Sequence, residues 1–543
     1  MRKSTKIITV AVSLMALTAC GGAPGWTRDN PTANPSASPS QPAKLPWGPS
    51  VKNQEQAKAL VAKMSLQHKA GQVIVGQYSG QDPTQVTQQI KSIHMGGAIM
   101  MGDNIVTDAN GNMDPAGTAA VVKGFNDAAK ADGRSYGAMV GTDQEGGAVA
   151  RLTQPATLWP NAMAYGASAS PAVTKEANRG IATEVADLGF NIDYAPDTDL
   201  TVGADDPAIN VRSMTSSPTL STKLVPAAIQ GMIEGGVIPS AKHFPGHGSV
   251  ASDSHLGLPL QNASVADLQK RDWVPFKAAI DAGTPMIMMG HINVPALQPG
   301  VPSSLSKPAY DALRKLGFKG VITTDSLSME GVTDQADSAA SAVKALNAGA
   351  DILLMPPDAN QAYQAIVSGV QNGQIPAARL NDAVTKVVTM MLWQKERQKA
   401  PNPAAVGSQA AVADKVSAAG LTVVSGKCQV NLLNGQVQIV GGSEDDNAAA
   451  VAAAQAAGVT VGSGGPVLAI DSGSGGVSGD IVVATDTPWS LGTTDAADTK
   501  VLIYGHNPGA FKALFSYLTG KQKATGVLPV PIQGIDSKAR CTP

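Results

Sequence analysis

The sequence predicts a (β/α)8, TIM-like barrel followed by a smaller C-terminal α/β sheet domain. Between Val51 and about Lys399, eight short apolar runs alternate with longer amphipathic, alanine-rich stretches. Strands buried on both faces read as continuous apolar runs, and strand–helix alternation gives a parallel sheet. Five of the runs end at or just before an ionisable residue: Asp143, Asp197, His243, His291 and Asp325. One such residue is ordinarily a turn former or helix cap. Five of them converge on the C-terminal face of a parallel barrel, where the loops build a site. After Lys399 the helical pattern gives way to APNPAAVGSQ and then to brief β-rich runs, which marks a second domain.

The chain opens with Arg2, Lys3 and Lys6 before an apolar run, Ile7 to Leu17, too short for a permanent membrane helix. Residues 1–20 are therefore expected to be a secretory signal. Its end, Leu17-Thr18-Ala19-Cys20, resembles the bacterial lipobox. Cys20 is accordingly expected to carry lipid and to hold an exported protein on the outer face of the bacterial membrane. Residues 21–50 hold seven prolines among Ser, Ala and Asn, the composition of an extended tether.

Residues 51–400 form the expected barrel. Its strands are GQVIVG near Val73, GGAIMMG near Ile99, YGAMVGTD near Met139 and FNIDYAP near Ile192, followed by GVIPSAKH near Ile238, PMIMMGH near Ile287, KGVITTD near Ile322 and ADILLMP near Leu353. Expected helices include Pro171–Leu188, Thr219–Gly235, Val265–Ala282 and Ser338–Ala348. Residues 401–415 read as a linker and 416–543 as the second domain, with strands in LTVVSG, VQIVGG, GVTVG, DIVVATD and KVLIYGH. The Gly-rich GSGGP and GSGGVSG read as loops, since neither has the strand–helix context of a phosphate cradle. Cys428 and Cys541 are expected to pair as a disulfide that fastens the chain end, two separate buried thiols being the alternative.

The chain has 543 residues and a net charge of −2, so no basic field recruits nucleic acid or an anionic membrane surface. No cofactor is expected, and the protein is expected to be a monomer. Three of the seven histidines, His243, His247 and His255, fall within KHFPGHGSVASDSH (Lys242–His255). A zinc pair on a helix face is disfavoured because Pro245 and Gly246 separate His243 from His247, and no Glu in the loop supplies a base. A loop-built zinc site stays an alternative. Acid/base chemistry fits better. Asp253 and His255 are two apart in a Ser/Gly-rich loop, and a carboxylate beside an imidazole fixes its tautomer and stabilises its protonated form. Asp325, after VITT at a strand end, is the matching carboxylate nucleophile. Asp143, Arg151, Arg212 and Lys242 are candidates to grip sugar hydroxyls.

With these residues in place, KHFPGHGSVASDSH resembles the signature of glycoside hydrolase family 3, in its β-N-acetylglucosaminidase branch. MSLQHKAGQ, DQEGGAVARL, APDTDL, INVRSM and GVITTDSLSM resemble further segments of that family in the same order. The resemblance implies Asp325 as nucleophile, His255 as general acid/base and Asp253 as its orienting partner. It also implies a sugar subsite of Asp143, Arg151, Arg212, Lys242 and His243, with a mobile His255 loop. DDPAINVRSM departs from the branch around Arg212, which leaves the role of that arginine open, and neither His247 nor His291 receives a role. The implied activity is retaining, exo-acting removal of GlcNAc from peptidoglycan-derived fragments or related glycans. A β-N-acetylglucosaminide phosphorylase and a non-catalytic sugar-binding lipoprotein are the alternatives.

Overall fold

A computed structural model describes residues 43–473, 475–494 and 497–536. Residues 1–20 with Cys20, and Cys541, lie outside the described residues. Cys428 is disulfide-bonded.

Eight parallel strands form the barrel: β1 (Ile74–Gly76), β2 (Gly97–Ile99), β3 (Met139–Thr142), β4 (Ile192–Asp193), β5 (Ile238–Phe244), β6 (Met286–Met289), β7 (Val321–Thr324) and β8 (Leu353–Leu354). Each coincides with one of the eight apolar runs. Their hydrogen-bonded order is β8-β1-β2-β3-β4-β5-β6-β7. The ring closes where Thr323 bridges Ile352 and the Thr324 amide donates to the Ile352 carbonyl. Every residue of the eight strands is buried, as strands covered by helices outside and packed side chains inside must be.

Helices Pro171–Asp187, Pro218–Gly235 and Ser338–Ala348 form where the periodicity places them, each opened by a Ser or Asp side chain that accepts a backbone N–H of the first turn. The stretch Val265–Ala282 differs from expectation. It is two helices, Val265–Lys270 and Val274–Asp281. Pro275 has no amide to continue the first helix and instead occupies the first turn of the second.

Two boundaries also move. The end of the expected tether is part of the folded unit: Trp47 is buried, Lys44 bridges Ser50, and Gly48 lies against the Trp393 ring. One large apolar side chain is enough to seat this proline-rich stretch. Likewise, the interval read as linker carries a 3-10 turn at Pro403–Ala405 and the start of helix Ala410–Gly420. The Glu184 carboxylate binds it by accepting the Gly407 and Gln409 amides.

The second domain is a six-stranded sheet of β9 (Thr422–Ser425), β10 (Gln436–Gly441), β11 (Thr460–Val461), β12 (Val467–Asp471), β13 (Ile481–Ala484) and β14 (Thr499–Leu502). Its order is β9-β14-β13-β12-β10-β11, and β9 alone runs antiparallel to its neighbour. The strand missed in the sequence is β12, whose flanking glycine-rich segments mask it. At the start of GSGGVSG, Asp471 Oδ1 accepts the Gly473 and Gly475 amides. The two domains meet along the rim of the barrel mouth. The Trp489 indole N–H donates to Asn210 Oδ1 at 3.0 Å, and Asn161 Nδ2 donates to Asp486 Oδ1 at 2.7 Å.

Candidate active site

At the C-terminal end of the barrel lies a cavity of about 440 Å³ lined by Asp143, Glu145, Arg151, Arg212, Lys242, His243, His255 and Asp325. Every residue assigned by sequence to nucleophile, acid/base or sugar grip lines it except Asp253, which stands one contact behind His255. The strands explain the convergence. Asp325 follows β7 directly, Asp143 follows β3, and Lys242 and His243 are in the last turn of β5. The peptide bonds Lys242–His243 and Phe244–Pro245 are cis.

Asp325 is held by backbone on both sides. Its N–H donates to the Met289 carbonyl at 2.9 Å, and its Oδ1 accepts the Ser326 N–H at 2.7 Å. Burial pushes this carboxyl up, but His291, His243, the Ser326 amide and the Lys242 ammonium outweigh it and hold it at about 2. It is therefore an anion at neutral pH. His291 acquires a role here. Its Nε2–H donates to the Ser326 carbonyl at 2.7 Å, and its Nδ1 accepts the Ser304 hydroxyl at 2.7 Å. A neutral ring satisfies both partners, in line with burial lowering this histidine.

On the other side of the pocket, His255 Nδ1–H donates to Asp253 Oδ1 at 2.7 Å, and the His255 amide reaches the same oxygen at 2.9 Å. Burial raises Asp253, but these two bonds and the imidazole outweigh it and hold the carboxylate below its ordinary range. Pairing at Nδ1 leaves Nε2 available for proton transfer. The His255 side chain is 65% exposed.

The floor of the pocket is a network of charges. Glu145 accepts a fork from Arg212, Nε to Oε2 at 3.0 Å and Nη2 to Oε1 at 2.8 Å, while Lys242 Nζ lies 2.7 Å from Oε1. Lys242 also donates to Asp143 Oδ1 at 3.0 Å, and Arg151 stands 3.9 Å from the second Asp143 oxygen. Burial disfavours charge on Glu145, Arg212 and Lys242, yet each finds an opposite charge. Glu145 is held below, and Arg212 and Lys242 above, their ordinary ranges. The role of Arg212, left open by the sequence, is thereby fixed as the clamp on Glu145 and, at 3.4 Å, on Asp197.

Glu145 and Asp199 are residues of the site that sequence reasoning did not single out, and Asp197 was named there only as a strand end without a role. Both carboxylate pairs, Asp143/Glu145 and Asp197/Asp199, have a spacing of two, which sets side chains on one side of an extended backbone. That was the available signal. Asp199 Oδ2 accepts the His243 amide at 2.9 Å and its Nδ1–H at 2.8 Å, while Oδ1 accepts the His247 amide at 2.8 Å. Asp197, Asp199 and His243 gather their ligand-type atoms within 4.8 Å. The donors around them, however, aim N–H groups at the carboxylates where a cation would need lone pairs. The cluster is built as a hydrogen-bonded brace. Burial, reinforced by the Asp199 charge, pushes Asp197 up, and burial lowers His243, so His243 works as a neutral donor.

These groups can do substitution chemistry at carbon: a fixed anion, a proton carrier at the pocket mouth, and a floor of oriented donors and acceptors. Comparisons with known proteins agree. The family model described as glycosyl hydrolase family 3 N terminal domain matches residues 65–390. The chain is 33% identical over 293 residues to beta-hexosaminidase A of Pseudoalteromonas piscicida, covering 50% of this chain and 48% of that one, so it spans about half of that relative's length. It is 29% identical over 411 residues to beta-hexosaminidase LpqI of Mycobacterium tuberculosis, covering 74% of this chain and 98% of that one. Among solved structures, a glycoside hydrolase family 3 beta-N-acetylglucosaminidase from Paenibacillus sp. str. FPU-7 shares the fold with a TM-score of 0.77 at 24% identity, over 87% of this chain and 100% of that one.

Proposed function

The chain belongs to glycosyl hydrolase family 3 and is a glycoside hydrolase, and we propose that it is an exo-acting, retaining β-N-acetylglucosaminidase. Its substrates on this reading are GlcNAc-ended glycans outside the cell, peptidoglycan-derived fragments foremost. The observation that carries the proposal is the pairing, across one pocket, of a buried anionic Asp325 with a His255 whose Nδ1 is fixed on Asp253. The likeness to named beta-hexosaminidases supports the N-acetylhexosamine preference. The signal and lipobox-like residues at the N-terminus support a location beside the cell wall.

The geometry supports a double-displacement mechanism. Asp325 attacks the anomeric carbon while the bond to the leaving oxygen breaks, and His255 Nε2 delivers a proton to that oxygen. Asp253 holds the tautomer and balances the charge. In the second half, neutral His255 takes a proton from water, whose oxygen displaces Asp325 with net retention of configuration. Asp143, Lys242 and Arg151 face the cavity with hydrogen-bonding capacity left over for sugar hydroxyls. Lys242 and Arg212 are already locked by Glu145, so the grip exists before substrate arrives.

The test is product analysis on a GlcNAc–MurNAc disaccharide, with and without phosphate. Free GlcNAc is expected in both, with Asp325→Asn slower by about a thousandfold or more. GlcNAc-1-phosphate as the main product would make the enzyme a phosphorylase instead. Equal, negligible turnover by wild type and variant would leave only binding.

A further inference from the structure

His247 belongs neither to the charge network nor to the acid/base pair, yet it is 2% exposed and ordered on three sides. Its amide donates to Asp199 Oδ1, the carboxylate whose other oxygen holds His243. Its ring packs edge-on against the His243 ring, centroids 5.7 Å apart at 67°. Its Nε2 is hydrogen-bonded to the Ser254 hydroxyl at 2.9 Å. Ser254 is the middle residue of Asp253-Ser254-His255 and is itself 2% exposed, whereas the Asp253 and His255 side chains are 29% and 65% exposed.

No helix or strand runs through residues 245–259, so the backbone there has no ladder to fix it. Ser254 is pinned at two points. Its hydroxyl meets His247, and its carbonyl accepts the Gly331 amide at 3.2 Å, from the segment that follows the nucleophile. The acid/base pair thus flanks one buried serine, whose carbonyl is held by the Gly331 amide and whose side chain is held by one buried imidazole.

The geometry points to His247 as a positioning residue for proton transfer: through Ser254 it fixes where Asp253 and His255 stand over the pocket, and through Asp199 it ties them to the strand end bearing His243. This rests on the reading of His255 as acid/base. A histidine that merely filled core space would matter equally for every substrate. A positioning residue matters most where the leaving group needs a proton.

The experiment uses the full chain and two β-GlcNAc glycosides, one with an activated dinitrophenyl leaving group and one with an alkyl leaving group. His247→Phe keeps the ring but removes Nε2, and Ser254→Ala removes the hydroxyl. Both are expected to lower kcat/KM for the alkyl glycoside by up to about a hundredfold and to leave kcat/KM for the activated glycoside, which needs no proton in the glycosylation step it reports, near wild type. The double variant is expected to be no slower than the slower single. Ser254→Thr, which keeps the hydroxyl, is expected to restore the rate. Equal losses of kcat/KM for both glycosides, additive losses, or wild-type behaviour of Ser254→Ala would overturn the proposal. Should His247→Phe fail to fold, the Ser254 pair decides alone by the same criteria. Failure of the underlying reading looks different: wild type inactive on both glycosides, or His255→Ala blind to the leaving group.

Discussion

Asp325 is an anion inside a protein, which burial alone would forbid. Its stability follows from what surrounds it, and acid titration reads that out. Its folded value, about 2, is below its ordinary 3.8, so its contribution to stability is present above the ordinary value and is lost as pH falls through the folded one. Asp325→Asn carries no such proton uptake. Between about pH 4 and 2, its unfolding free energy is expected to fall less steeply than that of wild type, by up to one proton or about 1.4 kcal/mol per pH unit. Denaturant unfolding at a series of pH values checks this, and parallel curves would mean that Asp325 is not depressed. Asp325 and the Asp253–His255 pair were legible in the sequence because each owes its role to near neighbours, a strand end or a spacing of two. His291 was not, because its partners, Ser304 and Ser326, come from two other loops.

At the scale of elements, the antiparallel hairpin Gln144–Gly146 with Val149–Ala150 places Glu145 against Arg212 and Lys242. Gly146 and Gly147 turn it with φ of 88° and 59°, a region that a side chain would strain. A Cβ on Gly147 would also come within 2.1 Å of Asn161 Oδ1. Because Glu145 is the shared counter-charge of Arg212 and Lys242, Glu145→Ala leaves two buried cations short of an anion. It is expected to cost about 3–5 kcal/mol of stability, measured by urea unfolding, and to raise KM for the same reason. A loss below about 1 kcal/mol would mean that the pair relaxes into solvent. The eight strands were legible because their apolar runs are uninterrupted. The break in Val265–Ala282 was also written there, in Pro275. By contrast, β12 was hidden by glycines on both flanks, and the ordered stretch around Trp47 by its prolines, since composition reports average tendency and one buried indole overrides it.

On the scale of the whole molecule, the second domain touches the site indirectly. Trp489 holds Asn210, which starts the turn that carries Arg212 and sits at a φ of 45°. Trp489→Phe keeps the apolar contact and drops one hydrogen bond of about 1 kcal/mol. KM is expected to rise several-fold with kcat and melting temperature near wild type, and an unchanged KM would show that the turn stands without the second domain. Sequence reasoning gave this domain no part in the site and could not have found Trp489, because its partner is 279 positions away. The ring of strands, finally, has a seam where Thr324 meets Ile352, and Asp325 is the next residue along. That junction completes a circuit begun at β1, whose Ile74 pairs with Leu353 across most of the barrel's length in sequence. Pairings so distant form late, because a long loop must be closed first. That late closure falls between β8 and β1. Asp325 stands at the end of β7, between its sequence neighbours β6 and β8, so the carboxylate's seat is built from consecutive strands and the distant pairing is left to the far side of β8.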